Sequence, residues 1–470
     1  MAGNPDAIVI GSGPNGLSAA IVLAQAGLSV VVLEAEETYG GGSRSAGLTL
    51  PGFVHDVCSA IHPLAAASPF FRTLPLERYG LEWIEPPTAV AHPFDDGTAA
   101  AAERSLDATG ESMGVDAEPY ISLMRPMVMD WPKLEGSILG PLRFPRHPFA
   151  LARFGRQALR SVAGLAASQF RGPQAPALLA GMAAHSGLPL ENLLTAGFGL
   201  ALGLLAHVVG WPLPRGGSQK IADALAAHLR SLGGGIVTGT RVRSLDELPK
   251  ARLILCDLSP RVLLRIAGHL FPPAYRRKLL LYRYGVGVYK IDWALDGPIP
   301  WRAEACRRSG TVHIGGALEE VARSEREVWS GAAPERPFVI LAQQSLFDPS
   351  RAPGGAQTAW GYCHVPNGSE ENMLDRIEGQ IERFAPGFRR RVVARSIMPP
   401  AEIERHNENF AGGDIAGGAP DLRQFFLRPT WRTHSTPVKG LYICSSSTPP
   451  GVGVHGMCGY VAARRALAEL

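Results

Sequence analysis

An unbroken apolar run, Ala7-Ile-Val-Ile10, opens the legible part of the chain. It predicts a strand buried on both faces of a parallel sheet. Gly11-Ser-Gly13-Pro-Asn-Gly16 follows at once. Leu17 to Ala26 then carries apolar residues at helical spacing, with Leu17, Ile21 and Ala24 on one face and Gly27 as the stop. The β-branched run Leu28 to Leu33 predicts a second strand, closed by Glu34. The order is β-α-β, with a right-handed crossover expected.

The pattern returns later in the chain. Ser218 stands where it would cap a helix whose apolar face is Ile221, Leu225, Leu229 and Leu232, with Gly233 to Gly235 ending it. Ile236 to Val242 and Leu253 to Cys256 read as strands. The alternating segments Tyr284 to Leu295 and Phe338 to Gln343 suggest a separate sheet. Gly440 to Leu470 reads as strand, Gly/Pro loop and helix. The fold class expected is therefore α/β.

Two stretches bear on membranes. No formal charge occurs between Glu191 and Arg215, but glycines and His207 interrupt the run, so a buried helix lining an apolar cavity is the reading for Ala196 to Trp211. Gly136 to Pro189 holds six arginines and no acid. Within it Leu151, Phe154, Ala158, Val162 and Leu165 share one helical face, opposite Arg153, Arg156 and Arg160. This is either a surface helix with a solvated arginine face or an interfacial one, giving peripheral membrane contact through residues 149–170.

Composition narrows the classes. Apolar residues are 46% and charged residues 19%, an ordinary globular balance. With 46 basic and 42 acidic residues the net charge of +4 gives no argument for nucleic acid. The six cysteines contain no CxxC, which speaks against a zinc ribbon, a dithiol or a disulfide scaffold, and no metal site is expected. The opening residues lack a basic, apolar leader, so a cytoplasmic, reducing location is the expectation.

The candidate chemistry begins at Gly11-Ser12-Gly13-Pro14-Asn15-Gly16. Gly11 permits the tight turn, Gly13 lets backbone approach a pyrophosphate, and Gly16 lets helix pack on strand. The helix N-terminus adds free N–H groups and a positive dipole. Glu34, 23 residues after Gly11, is placed to accept from a ribose hydroxyl, which argues against a 2′-phosphate there. Ala35 adjoins it. Gly40-Gly41-Gly42-Ser43-Arg44 follows, an addition similar to the extended flavoprotein motif, and it favours FAD over NAD. Ser445 to Gly456, with Gly451, Gly453 and Val454, looks like a second flavin-contacting segment.

With these residues the chain resembles the phytoene (carotenoid) desaturase-like flavoproteins of the glutathione-reductase-two structural family. The pyridine nucleotide-disulphide oxidoreductase domain-containing protein two type is the branch it resembles. Supporting segments are Ile10 to Gly41, Pro51-Gly-Phe53, Gly210-Trp-Pro-Leu-Pro-Arg-Gly216, Val288-Tyr-Lys290-Ile-Asp292 and Pro437 to Gly459. The tail departs from the usual pattern at Ser445-Ser-Ser-Thr-Pro-Pro-Gly451, and the arginine that often follows the first Gly pair is displaced to Arg44.

The resemblance implies a Rossmann-type FAD-binding domain with an inserted substrate domain of mixed sheet and helices. The FAD domain would comprise residues 1–75, 205–275 and 400–470, with Val242 among the cofactor contacts. The substrate domain would comprise 76–204 and 276–399. It also makes Lys290 a catalytic candidate, on a strand ahead of a Pro300-Trp301 element, holding a water near the flavin. The alternation puts Lys290 and Asp292 on one strand face, and a surface strand on which they pair is the alternative. His55 and Asp56 are candidates for base or substrate orientation, with a structural role as the alternative. Cys58 is considered as a covalent anchor, and His455 as either a site residue or a helix cap.

The function expected is an FAD-dependent oxidoreductase that desaturates, oxidises or isomerises a largely apolar, polyene or isoprenoid-like substrate. Electrons would pass to oxygen or a quinone, or return to the substrate in an isomerisation, since the only other GxGxxG, Gly451 to Gly456, falls in the second flavin-like segment and no CxxxxC dithiol is found. A flavin amine oxidase is the alternative, and a flavin-bound scaffold protein the alternative of another class.

Overall fold

The computed structural model describes residues 4–141 and 143–470. Two sheets organise the chain. The first is five-stranded and wholly parallel, in spatial order Leu441–Ile443, Leu253–Cys256, Ala7–Ile10, Val30–Leu33 and Gly235–Val237. Ala7–Ile10 is central, and its unbroken apolar run is fully used. Ala7 and Val9 pack toward helices Pro14–Gln25, Gln219–Ser231 and Met457–Ala468, while Ile8 and Ile10 face helix Pro260–Ala267.

The second sheet has seven strands, in the order Val392–Met398, Gly287–Leu295, Gln357–Val365, Val339–Ala342, Ser309–Ile314, Thr88–Pro93 and Ala99–Glu103. Pairing is antiparallel except between Ser309–Ile314 and Thr88–Pro93. One face presents Trp293 and packs on Trp301, Ile377 and Phe388. The other meets a helical group formed between Leu106 and Val208. Both faces are covered, so this sheet has no solvated side at its centre. No helix is long and apolar enough to cross a membrane among the described residues.

Local expectations are corrected in four places. The strand expected over Ile236 to Val242 is Gly235–Val237. Beyond it Gly239 and Thr240 donate to the carbonyls of Glu36 and Glu34, which turns the chain across the sheet end. Ser218 does not cap its helix through its side chain, because its hydroxyl donates to the Ser59 carbonyl (2.5 Å) and meets His62 Nε2 (2.7 Å). The helix drawn through Leu151 and Leu165 is two helices, Pro148–Ala158 and Val162–Gln169, because Ser161 is extended and caps the second at Gly164 N. Helix Thr195–Val208 carries the uncharged run, and it is buried as read.

The strand of Lys290 is the fourth correction. A surface strand was one reading of it, yet Lys290 is 3% and Asp292 0% exposed, between two neighbouring strands.

Candidate functional site

The turn after Ala7–Ile10 is built on backbone contacts. Gly11 has φ +98°, where a side chain would be strained. A Cβ on Gly16 would strike the Gly11 carbonyl. Pro14 occupies the first turn of the following helix, where its missing N–H costs nothing. The helix N-terminus opens into a deep cleft between the two sheets, walled by Gly11 to Asn15, Glu34 to Glu36, Gly41, Gly42, Val242, Asp257 and Val452 to Val454.

Glu34 is buried at this wall and firmly oriented. Its Oε2 accepts from Ser12 N (3.0 Å) and Ser12 Oγ (2.5 Å), and Oε1 accepts from Glu36 N (3.0 Å). Gly11, Ser12, Gly13, Pro14, Asn15, Glu34, Ala35, Gly41, Gly42, Val242, Gly453 and Val454 all line the cleft. Gly16, Gly40, Ser43 and Gly451 stand one layer behind and shape the wall. Gly40 donates to the Ser12 carbonyl, and the Ser43 hydroxyl donates to the Gly40 carbonyl (2.8 Å). Arg44 also lines the cleft, with Nε donating to the Gly41 carbonyl (3.1 Å) and Nη2 beside His406 Nε2 (2.9 Å).

Asp257 was missed by the sequence reading. It follows strand Leu253–Cys256 directly, as Glu34 follows Val30–Leu33, and that repeated strand-then-acid pattern was the available signal. Its Oδ2 accepts the Gly16 N–H (3.0 Å) and would lie 2.8 Å from a Cβ on Gly13. Burial, with Glu34 adding to it, pushes its carboxyl up to about 7, against the opposing Gly16 hydrogen bond.

Farther in, the wall changes character. One face of the seven-stranded sheet presents Thr311, Ile340, Ala342, Trp360 and Tyr362, facing Ile61, Leu64, Leu202, Trp211, Phe410 and Ile415. Trp360 and Tyr362 meet edge-on with centroids 5.2 Å apart. Lys290 pairs across the sheet with Tyr362, and Asp292 with Trp360, so both point to the same side as these rings. Lys290 Nζ donates to Asp292 Oδ2. Burial pushes Asp292 up to about 6, while Lys290 holds it back.

The other candidates divide. Asp56 is not at the cleft wall. It forms a fully buried ion pair with Arg351 (2.6 Å) and also accepts from Ser218 N (2.8 Å) and Ser45 Oγ (2.7 Å). Burial alone would raise its carboxyl, but these partners hold it below the ordinary carboxylate value. That is the geometry of a structural residue. His55 is also behind the wall, with Nε2 on Thr49 Oγ1 (2.7 Å) and Nδ1 3.7 Å from Asp292 Oδ1. Burial, then Lys290 and Arg351, bring it down to about 4, so it is neutral.

Trp301 packs on the far face of the sheet from Lys290, donating to Gln343 Oε1 (2.8 Å), so it is not beside the cleft. Cys58 lines the cleft, yet burial pushes its thiol up to about 11, which leaves no thiolate to anchor a cofactor. His455 is the helix cap: its Nδ1 accepts the N–H of Met457 (3.0 Å).

A dinucleotide fits this wall. The helix N-terminus, the glycine approach, the oriented Glu34 and the unpartnered buried Oδ1 of Asn15 converge on one cleft. Comparison with known proteins agrees. The model of the DAO family, FAD dependent oxidoreductase, matches residues 6–256. Pyridine nucleotide-disulfide oxidoreductase domain-containing protein 2 of Mus musculus is 26% identical, covering 99% of this chain and 94% of that protein. The neurosporene-forming phytoene desaturase of Rhodobacter capsulatus is 23% identical over 52% of this chain and 51% of its own.

Among solved structures, an oxidoreductase from Methanosarcina mazei superposes with a TM-score of 0.67 at 16% identity, covering 98% of this chain and 99% of that one. Wild-type putrescine oxidase bound to putrescine superposes with a TM-score of 0.63 at 18% identity, covering 99% and 98%. At these identities the structural likeness is one of fold. The family match spans the β-α-β turn, Glu34 and strand Leu253–Cys256, and the chain belongs to the FAD dependent oxidoreductase family, an enzyme family whose cofactor is FAD.

Proposed function

We propose that this protein desaturates or oxidises a largely apolar, polyene or isoprenoid-like substrate, with electrons passing to oxygen or a quinone, or isomerises it, with the electrons returned to the substrate. The observation that carries the reading is the inner wall of the cleft. It is mostly aliphatic and aromatic, with Thr311 and His185 among its few polar members, and no carboxylate lines it among the described residues. The acids that do line the cleft stand elsewhere. Glu34, Glu36 and Asp257 are at the dinucleotide end, and Glu408 is taken by Arg241 and Arg265.

FAD, when bound, would supply the two-electron acceptor. The chain's own part is to orient a C–H bond and exclude water. Trp211, Trp360 and Tyr362 offer flat surfaces to an unsaturated or ring-bearing body. The Lys290 ammonium, on the same sheet face, would stabilise negative charge developing at the cleft.

Phytoene desaturase among the relatives supports this class of substrate. An amine oxidase is the second reading, favoured by the fold of putrescine oxidase and by the paired Trp360 and Tyr362 rings, whose faces attract a cation. Anaerobic mixing of the flavin-loaded protein with apolar lipid extract and, separately, with amines separates them. Bleaching of the flavin absorbance by the lipid fraction is expected. Bleaching by amines alone would replace this reading with the second.

The peripheral membrane contact belongs here too, but at the start of residues 149–170 and just ahead of it, not along the apolar helical face that the sequence suggests. Phe154, Ala158, Val162 and Leu165 are buried against the helical group and cannot meet lipid. Arg153 is engaged by Asp130, and Arg160 by Gly164 and Ser168. Phe144 and Phe149, 90% and 91% exposed, stand instead beside the exposed Arg143 and Arg146. Two apolar anchors among cations suit an anionic interface.

A further inference from the structure

A pair of histidines with no part in the dinucleotide site lies at the inner end of the cleft. His185, which ends helix Gln174–Ala184, lines the cleft beside Trp211. His313 stands under that helix on the cleft face of the seven-stranded sheet and is fully buried. Their Nε2 atoms are 3.0 Å apart. Burial, with His364 adding, brings His185 down to about 3. Burial, with His185 and His92 adding, holds His313 well below its ordinary value. Both rings are therefore neutral, and each carries one N–H and one bare nitrogen.

The surroundings decide which nitrogen carries the proton. His313 Nδ1 is buried without a hydrogen-bond partner and is pressed on Gly181, 2.7 Å from where a Cβ on that glycine would stand. A stranded N–H at that spot is the costlier choice, because an unpaired buried donor is rarer and less tolerated than an unpaired acceptor. His313 thus holds its proton on Nε2 and donates to His185 Nε2. His185 must then carry its own proton on Nδ1. That atom makes no hydrogen bond among the described residues and, unlike His313 Nδ1, is not sealed within the protein.

We propose that His185 is a specificity-determining residue, whose Nδ1–H donates to a hydroxyl or carbonyl oxygen carried by the otherwise apolar substrate. The inference rests on the apolar-substrate reading above and deepens it. A pure hydrocarbon leaves this N–H unanswered in a dry pocket, and an ammonium, which has only donors, does the same. His313 is the positioning residue, since it fixes the tautomer.

The test is equilibrium dialysis of the flavin-loaded protein against limonene and carvone, a hydrocarbon and a ketone on one carbon skeleton. The quantity read is the ratio of their affinities. Relative to His185→Phe, the parent is expected to favour carvone by about five- to tenfold more, the size of one buried neutral hydrogen bond. His313→Phe, which frees the tautomer, should lower the ratio in the same direction, and His185→Asn, which restores a donor, should recover part of it. FAD content should stay with the parent in each variant. An unchanged ratio in both His185→Phe and His313→Phe overturns the inference while the apolar reading stands. Binding of neither compound by the parent overturns the apolar reading and this inference with it.

Discussion

Asp257 Oδ2 accepts the backbone N–H of Gly16 at 3.0 Å, so a carboxylate stands in the first turn of the helix that a dinucleotide fold reserves for phosphate. The helix dipole favours the charge. Burial opposes it, and the carboxyl titrates near neutrality, at about 7. A second anion placed beside it would favour the protonated form further.

FAD retention should therefore depend on pH through Asp257. Its folded value lies above the ordinary 3.8, so the folded chain holds this proton more tightly than the unfolded one. The stabilisation is complete below that ordinary value and is lost as pH rises through about 7. FAD affinity, read by flavin fluorescence at several pH values, is expected to weaken from pH about 6 to about 8.5, by at most about tenfold per unit for one proton. Asp257→Asn should flatten this slope. A slope unchanged in the variant would assign the dependence to another group.

Glu34→Ala should weaken FAD binding by roughly tenfold or more, the worth of a charge-assisted hydrogen bond. The variant also strips Ser12 of the acceptor for both its N–H and its hydroxyl, so the turn loosens. Dialysis followed by flavin quantification reads the result, and stoichiometric FAD after dialysis would end the assignment.

The Asp56–Arg351 pair is a stability element. Both side chains are fully buried, and removing one partner leaves a buried charge without its counter-charge. Arg351→Met is expected to cost about 3–5 kcal/mol in denaturant titration, with much of it regained in the double variant Arg351→Met/Asp56→Asn. Asp56 sits below its ordinary value, so its contribution is present above that value and is lost as pH falls through the lower, folded one. A single variant as stable as the parent would show that the pair is not holding the two regions together.

Lys290→Met should retain FAD and slow flavin reoxidation by oxygen by about tenfold or more, as expected when a charge that stabilises a developing anion is removed. Asp292 then loses its partner, so Lys290→Met/Asp292→Asn serves as the control for an unpaired buried carboxyl. Stopped-flow traces in which both variants reoxidise like the parent would make Lys290 structural.

Phe144→Ser together with Phe149→Ser should reduce pelleting with anionic vesicles by about tenfold or more, since each buried phenylalanine is worth about 1.5–3 kcal/mol. Flavin content should not change. Equal pelleting by parent and variant would remove these residues from any membrane contact.

How much was legible follows from the separation of the partners along the chain. The turn Gly11 to Gly16 and the acid Glu34 lie within one β-α-β unit, where strand, turn and helix each write a local period. The sequence alone therefore determined that unit, the cofactor class and the shared face of Lys290 and Asp292. Asp257 reaches Gly16 across 241 residues, Arg351 reaches Asp56 across 295, and His313 reaches His185 across 128. Periodicity states which side chains share a face, but it does not state which strand lies alongside. Only the tertiary structure placed Leu253–Cys256 beside Ala7–Ile10, bringing Asp257 to the turn. Only it covered both faces of the second sheet, so that Lys290 is buried and not solvated. The same packing took the apolar face of Phe154 and Leu165 inward and left Phe144 and Phe149 outside, because burial is decided by what the rest of the chain brings to a face.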